Sequence, residues 1–81
     1  MTFPLSIYSL DREIFLGQAN SVTLPGSEGQ LQVLAHHAPF ISLLREGDMV
    51  LEDENGFRKN IPIAGGVVEV KQTQVVVLVD F

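Results

Sequence analysis

Met49-Val50-Leu51-Glu52-Asp53-Glu54-Asn55-Gly56-Phe57-Arg58-Lys59-Asn60-Ile61-Pro62-Ile63 sets two alternating arms on either side of an Asn-Gly pair. Asn and Gly both tolerate the left-handed backbone angles of a tight hairpin, so residues 53–56 read as a turn between two strands. In the second arm Phe57, Lys59, Ile61 and Ile63 fall on one side and Arg58, Asn60 and Pro62 on the other, because strand side chains alternate. Pro62 has no N–H to give a neighbouring strand, which assigns this arm to a sheet edge or a strand end.

The same short-period pattern continues in both directions. Downstream, Gly65-Gly66 interrupts the chain before residues 67–70, and Lys71-Gln72-Thr73 leads into the apolar run of residues 75–79. A run apolar at both parities predicts a deeply buried last strand. Upstream, Glu46-Gly47-Asp48 is a turn, and Phe40, Ile41, Leu43 and Leu44 form a short strand behind the loop Ala35-His36-His37-Ala38-Pro39. Leu31 and Val33 point one way, and Pro25-Gly26-Ser27-Glu28-Gly29 is the clearest loop. Residues 13–16 and 18–24 read as strand segments with a bend or bulge at Gly17. In the first strand Phe3, Leu5 and Ile7 oppose Ser6 and Tyr8. Helical periodicity is nowhere sustained. The expected fold is all-β, a small two-sheet antiparallel β-sandwich or flattened barrel, formed as a single domain over residues 1–81 without internal repeats.

Composition narrows the function. The chain has 81 residues, 46% of them hydrophobic and 19% charged, which suits a folded domain and leaves no room for a second. There is no cysteine, so apolar burial has to hold the fold. A net charge of −5 opposes a phosphate backbone and argues against nucleic acid as partner. No apolar run approaches the ~20 residues that span a bilayer as helix, and the start Met1-Thr2-Phe3-Pro4-Leu5 has no signal-peptide pattern.

Catalytic and cofactor chemistry finds little to use. His36 and His37 are the only ligand-like pair, yet successive strand residues face opposite ways, and neither HxH nor HExxH spacing occurs. A surface or structural role fits them better than a metal site. No serine sits in a GxSxG elbow. Gly26-Ser27-Glu28-Gly29 lacks the lysine, the spacing and the following helix of a phosphate loop. Glu46, Asp48, Glu52, Asp53 and Glu54 do not reproduce calcium-loop spacing. The residues therefore predict no catalytic centre, no metal and no cofactor. They suggest a small acidic β domain that binds another protein through loops or sheet edges. A carbohydrate-binding sandwich is disfavoured by the absence of Trp and 7% aromatic content. A cupin-like metalloenzyme would need the histidines and acids to converge inside a barrel.

The run Pro25-Gly26-Ser27-Glu28-Gly29-Gln30-Leu31-Gln32-Val33-Leu34, followed by His37-Ala38-Pro39-Phe40, resembles the signature of F-type ATP synthase epsilon subunits, in their N-terminal domain. The order continues through Leu44, Gly47 and Gly56 to Ile63-Ala64-Gly65-Gly66-Val67-Val68-Glu69-Val70 and Val75-Val76-Val77-Leu78-Val79-Asp80, so the resemblance spans essentially the whole chain. It departs in two places: the family often has Gly where this chain has Gln32, and Pro-Gly where it has Ala35-His36.

The resemblance implies a non-catalytic rotor subunit of an ion-translocating ATP synthase, fastening the central-stalk gamma subunit to the membrane c-ring and supporting coupling of ion flow to ATP synthesis. By match to the family motif, Glu28, Gly29, Gln30, His36 and His37 are expected to face the c-ring, and Ser9, Leu10, Ser42 and Leu43 the gamma subunit. Typical family members continue into a C-terminal helical hairpin that restrains ATP hydrolysis. These 81 residues contain no such hairpin, so no inhibitory function and no tight nucleotide binding is expected of them. The implied location is the cytoplasmic face of the bacterial inner membrane or the stromal face of a thylakoid, with membrane association only through partner subunits. A small β-sandwich protein-binding module unrelated to ATP synthase is the alternative.

Overall fold

Burial alternates along nearly every strand, as it must when one face of a sheet packs on a core and the other meets solvent. A computed structural model describes all residues, Met1–Phe81, as eight strands and connecting turns. The strands are β1 (Phe3–Tyr8), β2 (Glu13–Gly26), β3 (Gly29–Leu34), β4 (Phe40–Leu44), β5 (Gly47–Asp53), β6 (Arg58–Ile63), β7 (Gly65–Val70) and β8 (Val75–Asp80). Hydrogen bonding runs in the order β1-β8-β7-β4-β2-β5-β6, with β3 added to β2 and a further β1–β2 ladder.

The long strand β2 explains how one bonded path makes two layers. Its residues 13–19 pair with β1, whereas residues 21–26 pair with β3 and residues 19–23 with β5. One layer is thus β4-β7-β8-β1 with the first half of β2, and the other is β3, the second half of β2, β5 and β6. Between the layers, 17 buried apolar residues form one cluster that draws Leu5, Ile7, Val68 and Val77 from the first layer and Val33, Met49, Leu51 and Ile61 from the second. The β-sandwich expectation is met.

Four sequence expectations are corrected. The sheet is not wholly antiparallel, because β1 and β8 pair in parallel from Leu5↔Val75 to Tyr8↔Leu78. The bend of β2 falls not at Gly17 but at Asn20, where the register to β5 shifts between Ala19 and Ser21. Asn20 holds that corner by donating through Nδ2 to Asp53 O at 2.9 Å and Glu52 Oε2 at 3.1 Å. The last strand is buried on one face only: Val75, Val77 and Val79 face the core while Leu78 is 49% exposed. Phe57, 72% exposed, lies in the turn before β6 and does not join Ile61 and Ile63 in the core.

The hairpin of residues 53–56 forms as read. Gly56 takes φ 86°, Asp53 N–H donates to Phe57 O at 2.9 Å, and Asp53 Oδ1 accepts from the N–H groups of Asn55 and Phe57. β6 is an edge strand, as Pro62 requires.

Candidate interaction surfaces

The first surface is the outside of β4, β7, β8 and β1. Cross-strand partners share a face, so the register writes out its rows. One row runs Leu43, Val67, Leu78, Tyr8, and the next Ile41, Glu69, Val76, Ser6, Leu16. Leu43 and Ile41 are 66% and 68% exposed, although β-sheet residues of this type normally seek the core. Ser9 and Leu10 extend the patch. The β1–β2 turn is fixed by Ser9 N–H donating to Arg12 O at 2.9 Å and Ser9 Oγ donating to Asp11 Oδ1 at 3.1 Å. This holds Leu10 in solvent, 96% exposed, over a depression shared with Gly66, Val67 and Leu78. A contiguous exposed apolar area of this kind marks an interaction site.

Of the four residues matched to the gamma side, the structure brings Ser9, Leu10 and Leu43 to the borders of this face. It turns Ser42 the other way. Ser42 pairs with the buried Val68 on the core side of β4, and its hydroxyl donates to Leu43 O at 3.1 Å. Ile41, Val67, Val76 and Leu78 belong to the face and escaped sequence reading, since β4 and β8 are apolar at both parities and only register tells inside from outside.

The second surface follows β3, which pairs only with β2 and leaves its other edge free. Its entry is a two-residue hairpin, Ser27-Glu28, closed by the Gly26↔Gly29 pair. The loop is therefore shorter than residues 25–29, because Pro25 and Gly26 remain in β2. The two glycines act differently. Gly29 sits at φ 133°, a backbone state that side chains oppose, whereas a Cβ on Gly26 would lie 2.5 Å from Gly29 O. Glu28 and Gln30 are exposed, and Gln30 shares a shallow depression with Arg45 and Asp48.

At the far end of β3, His36 adopts φ 66°, so the left-handed turn that a glycine would make is made by a histidine. The departure from Pro-Gly leaves this turn in place. Gln32, the other departure, occupies a regular exposed strand position. His36 Nε2 lies 3.0 Å from Met1 Sδ. His37 Nδ1 donates to Ala38 O at 2.9 Å, and its ring meets Phe40 at 5.0 Å between centroids. The hairpin and the histidine loop do not converge on one cavity. They flank the exposed edge of β3, with Gln30 and Leu34 about 13 Å apart at ~3.3 Å per residue. No group of three or more His, Cys, Asp or Glu side chains is gathered anywhere in the chain.

Comparison with known proteins gives three findings. Residues 2–81 match the family model of the ATP synthase Delta/Epsilon chain beta-sandwich domain. The ATP synthase epsilon chain of Bordetella petrii is 40% identical over 79 residues, which cover 98% of this chain and 56% of that protein, so the chain spans about half of that relative's length. Among solved structures, a chain of the Euglena gracilis mitochondrial ATP synthase (OSCP, F1 and c-ring) aligns with a TM-score of 0.90 at 25% identity, over 96% of this chain and 50% of its own. A chain from the Tetrahymena thermophila mitochondrial ATP synthase central stalk and c-ring shares the fold, with a TM-score of 0.81 at 14% identity over 100% of this chain and 65% of its own.

Proposed function

Because the chain belongs to the ATP synthase Delta/Epsilon chain beta-sandwich family, we propose that it is a non-catalytic connector in the rotor of an F-type ATP synthase. In this role it fastens the central-stalk gamma subunit to the c-ring, so that ion-driven rotation reaches catalytic sites on other subunits. Residues 1–81 act as one domain, a reading supported by their single core.

The observation that carries the proposal is the presence of two unlike surfaces on one packed body. The apolar outer face around Leu43, Val67 and Leu78 is suited to a permanent partner, since obligate interfaces are the more hydrophobic ones. We assign it to the gamma subunit, with Ser9, Leu10 and Leu43 at its border and Ser42 behind it. The exposed β3 edge offers Glu28, Gly29, Gln30, His36 and His37 to the polar loops of the c-ring.

Membrane attachment runs through these partners. No helix is long and apolar enough to cross a membrane, and a net charge of −5 opposes anionic lipid. The corresponding location is the cytoplasmic face of a bacterial inner membrane, or the stromal face of a thylakoid. Calorimetric titration of the chain into purified gamma subunit tests the assignment. Binding is expected, and Leu43→Arg weakens it by about 30-fold or more, because it replaces an apolar contact with an unpaired charge. Failure of the natural chain to bind folded gamma subunit refutes the proposal.

A further inference from the structure

Glu69 is the one charged side chain inside the two apolar rows of the outer face. Ile41 of β4 and Val76 of β8 stand directly beside it, and Val67 precedes it on the same side of β7. Its only cation within the chain is Lys71, two residues on and just past the end of β7, with Nζ at 3.9 Å, beyond hydrogen-bond length. Both side chains are 46% exposed, so in the free chain water solvates the carboxylate. A partner that covers the apolar rows strips that water away. An ionised carboxylate moved out of water without a hydrogen-bonded counter-charge is costly, and Lys71 does not reach it.

We propose that the partner seated on this face presents a cationic side chain to Glu69, forming a single charged pair inside an otherwise apolar interface. The inference rests on the assignment of the face to the gamma subunit. It deepens that assignment by stating what gamma must offer: an apolar surface with one Arg or Lys directed between Ile41 and Val76. The pair fixes which way the two bodies meet. Apolar rows alone accept neighbouring registers at similar energy, whereas a misplaced cation leaves two unpaired charges in the contact. A guanidinium suits the position best, because its planar fork engages both carboxylate oxygens.

The test is calorimetric titration of the 81-residue chain into purified gamma subunit with four variants, after thermal melts establish that each is folded. Glu69→Gln keeps the shape and removes the charge, and weakens binding by roughly 10-fold or more; Glu69→Lys sets like charges against each other and weakens it by roughly 100-fold or more. Lys71→Met leaves affinity within about 3-fold, because Lys71 is not the partner the carboxylate uses in the complex. Leu43→Arg reports on the face itself. If Leu43→Arg weakens binding while Glu69→Gln binds as well as or better than the natural chain, the charged pair is wrong and the face assignment stands. If Lys71→Met costs as much as Glu69→Gln, the carboxylate is served within the chain and the pair is again wrong. If neither Leu43→Arg nor the Glu69 variants change affinity, the face is not the gamma-binding surface and both inferences fall.

Discussion

On the outside of β4, β7 and β8 the cross-strand rows read Leu43-Val67-Leu78 and Ile41-Glu69-Val76. Outside β2, β5 and β6 they read Thr23-Val50-Asn60 and Ser21-Glu52-Arg58. Both layers are built from the same alternating strands, and both turn an apolar face inward. The polar outer rows are what solvent requires of a half-buried sheet. The apolar outer rows are not what solvent favours, which is why they support the proposed partner contact.

Mutations on the inner and outer faces should separate these two causes. The largest effects are expected inside, where the layers are alike: Leu5→Ala in β1 and Leu51→Ala in β5 each lower stability by about 2–5 kcal/mol in urea unfolding, since both leave a cavity in the shared core. A much smaller loss in one layer would mean the layers do not share a core equally. Outside, the contrast should invert. Asn60→Arg on the polar face leaves gamma affinity and stability unchanged to within about 0.5 kcal/mol, where its counterpart Leu43→Arg abolishes tight binding at no comparable cost to the fold. Equal effects of the two would erase the distinction between the faces.

At the corner that joins the layers, Asn20→Ala removes two hydrogen bonds to β5 and costs about 1–2 kcal/mol by the same unfolding measurement. The smallest effect is a gain. His36→Gly relieves a left-handed backbone angle and raises stability by about 0.5–1 kcal/mol, the strain relief exceeding the entropy cost of glycine. A loss there would show that the His36 contact with Met1 outweighs the strain.

What the sequence revealed depended on how local the determining interactions are. The hairpin at Asn55-Gly56 and the edge position of β6 were legible because a turn chemistry and a missing N–H act within a few residues. The parallel β1–β8 ladder was not, because it joins positions 70 residues apart, such as Leu5 and Val75, and no periodicity encodes it. Gly17 attracted the bend on account of its residue type, yet its neighbours continue a regular ladder to β1, and the amide of Asn20 makes the corner. The exposed apolar face proposed as an interaction surface was half legible. Leu10 and Leu43 came from a motif match, but Ser42 and Leu43 were separated only by the register that sends them to opposite faces of the sheet, and Leu78 was hidden in a run that reads apolar throughout.

The continuity of β2 gives the molecule a mechanical property. Its first half carries Leu16 at the margin of the apolar face, and its second half carries the hairpin of Ser27 and Glu28 and the whole of β3. The two surfaces are therefore joined along a single run of peptide bonds, held by the β1 ladder in its first half and by the β3 and β5 ladders in its second. Side-chain packing between the layers and the Asn20 hydrogen bonds hold the corner in β2 at its angle. In the proposed rotor role, a domain wired in this way carries load between its two candidate surfaces through backbone rather than through packing.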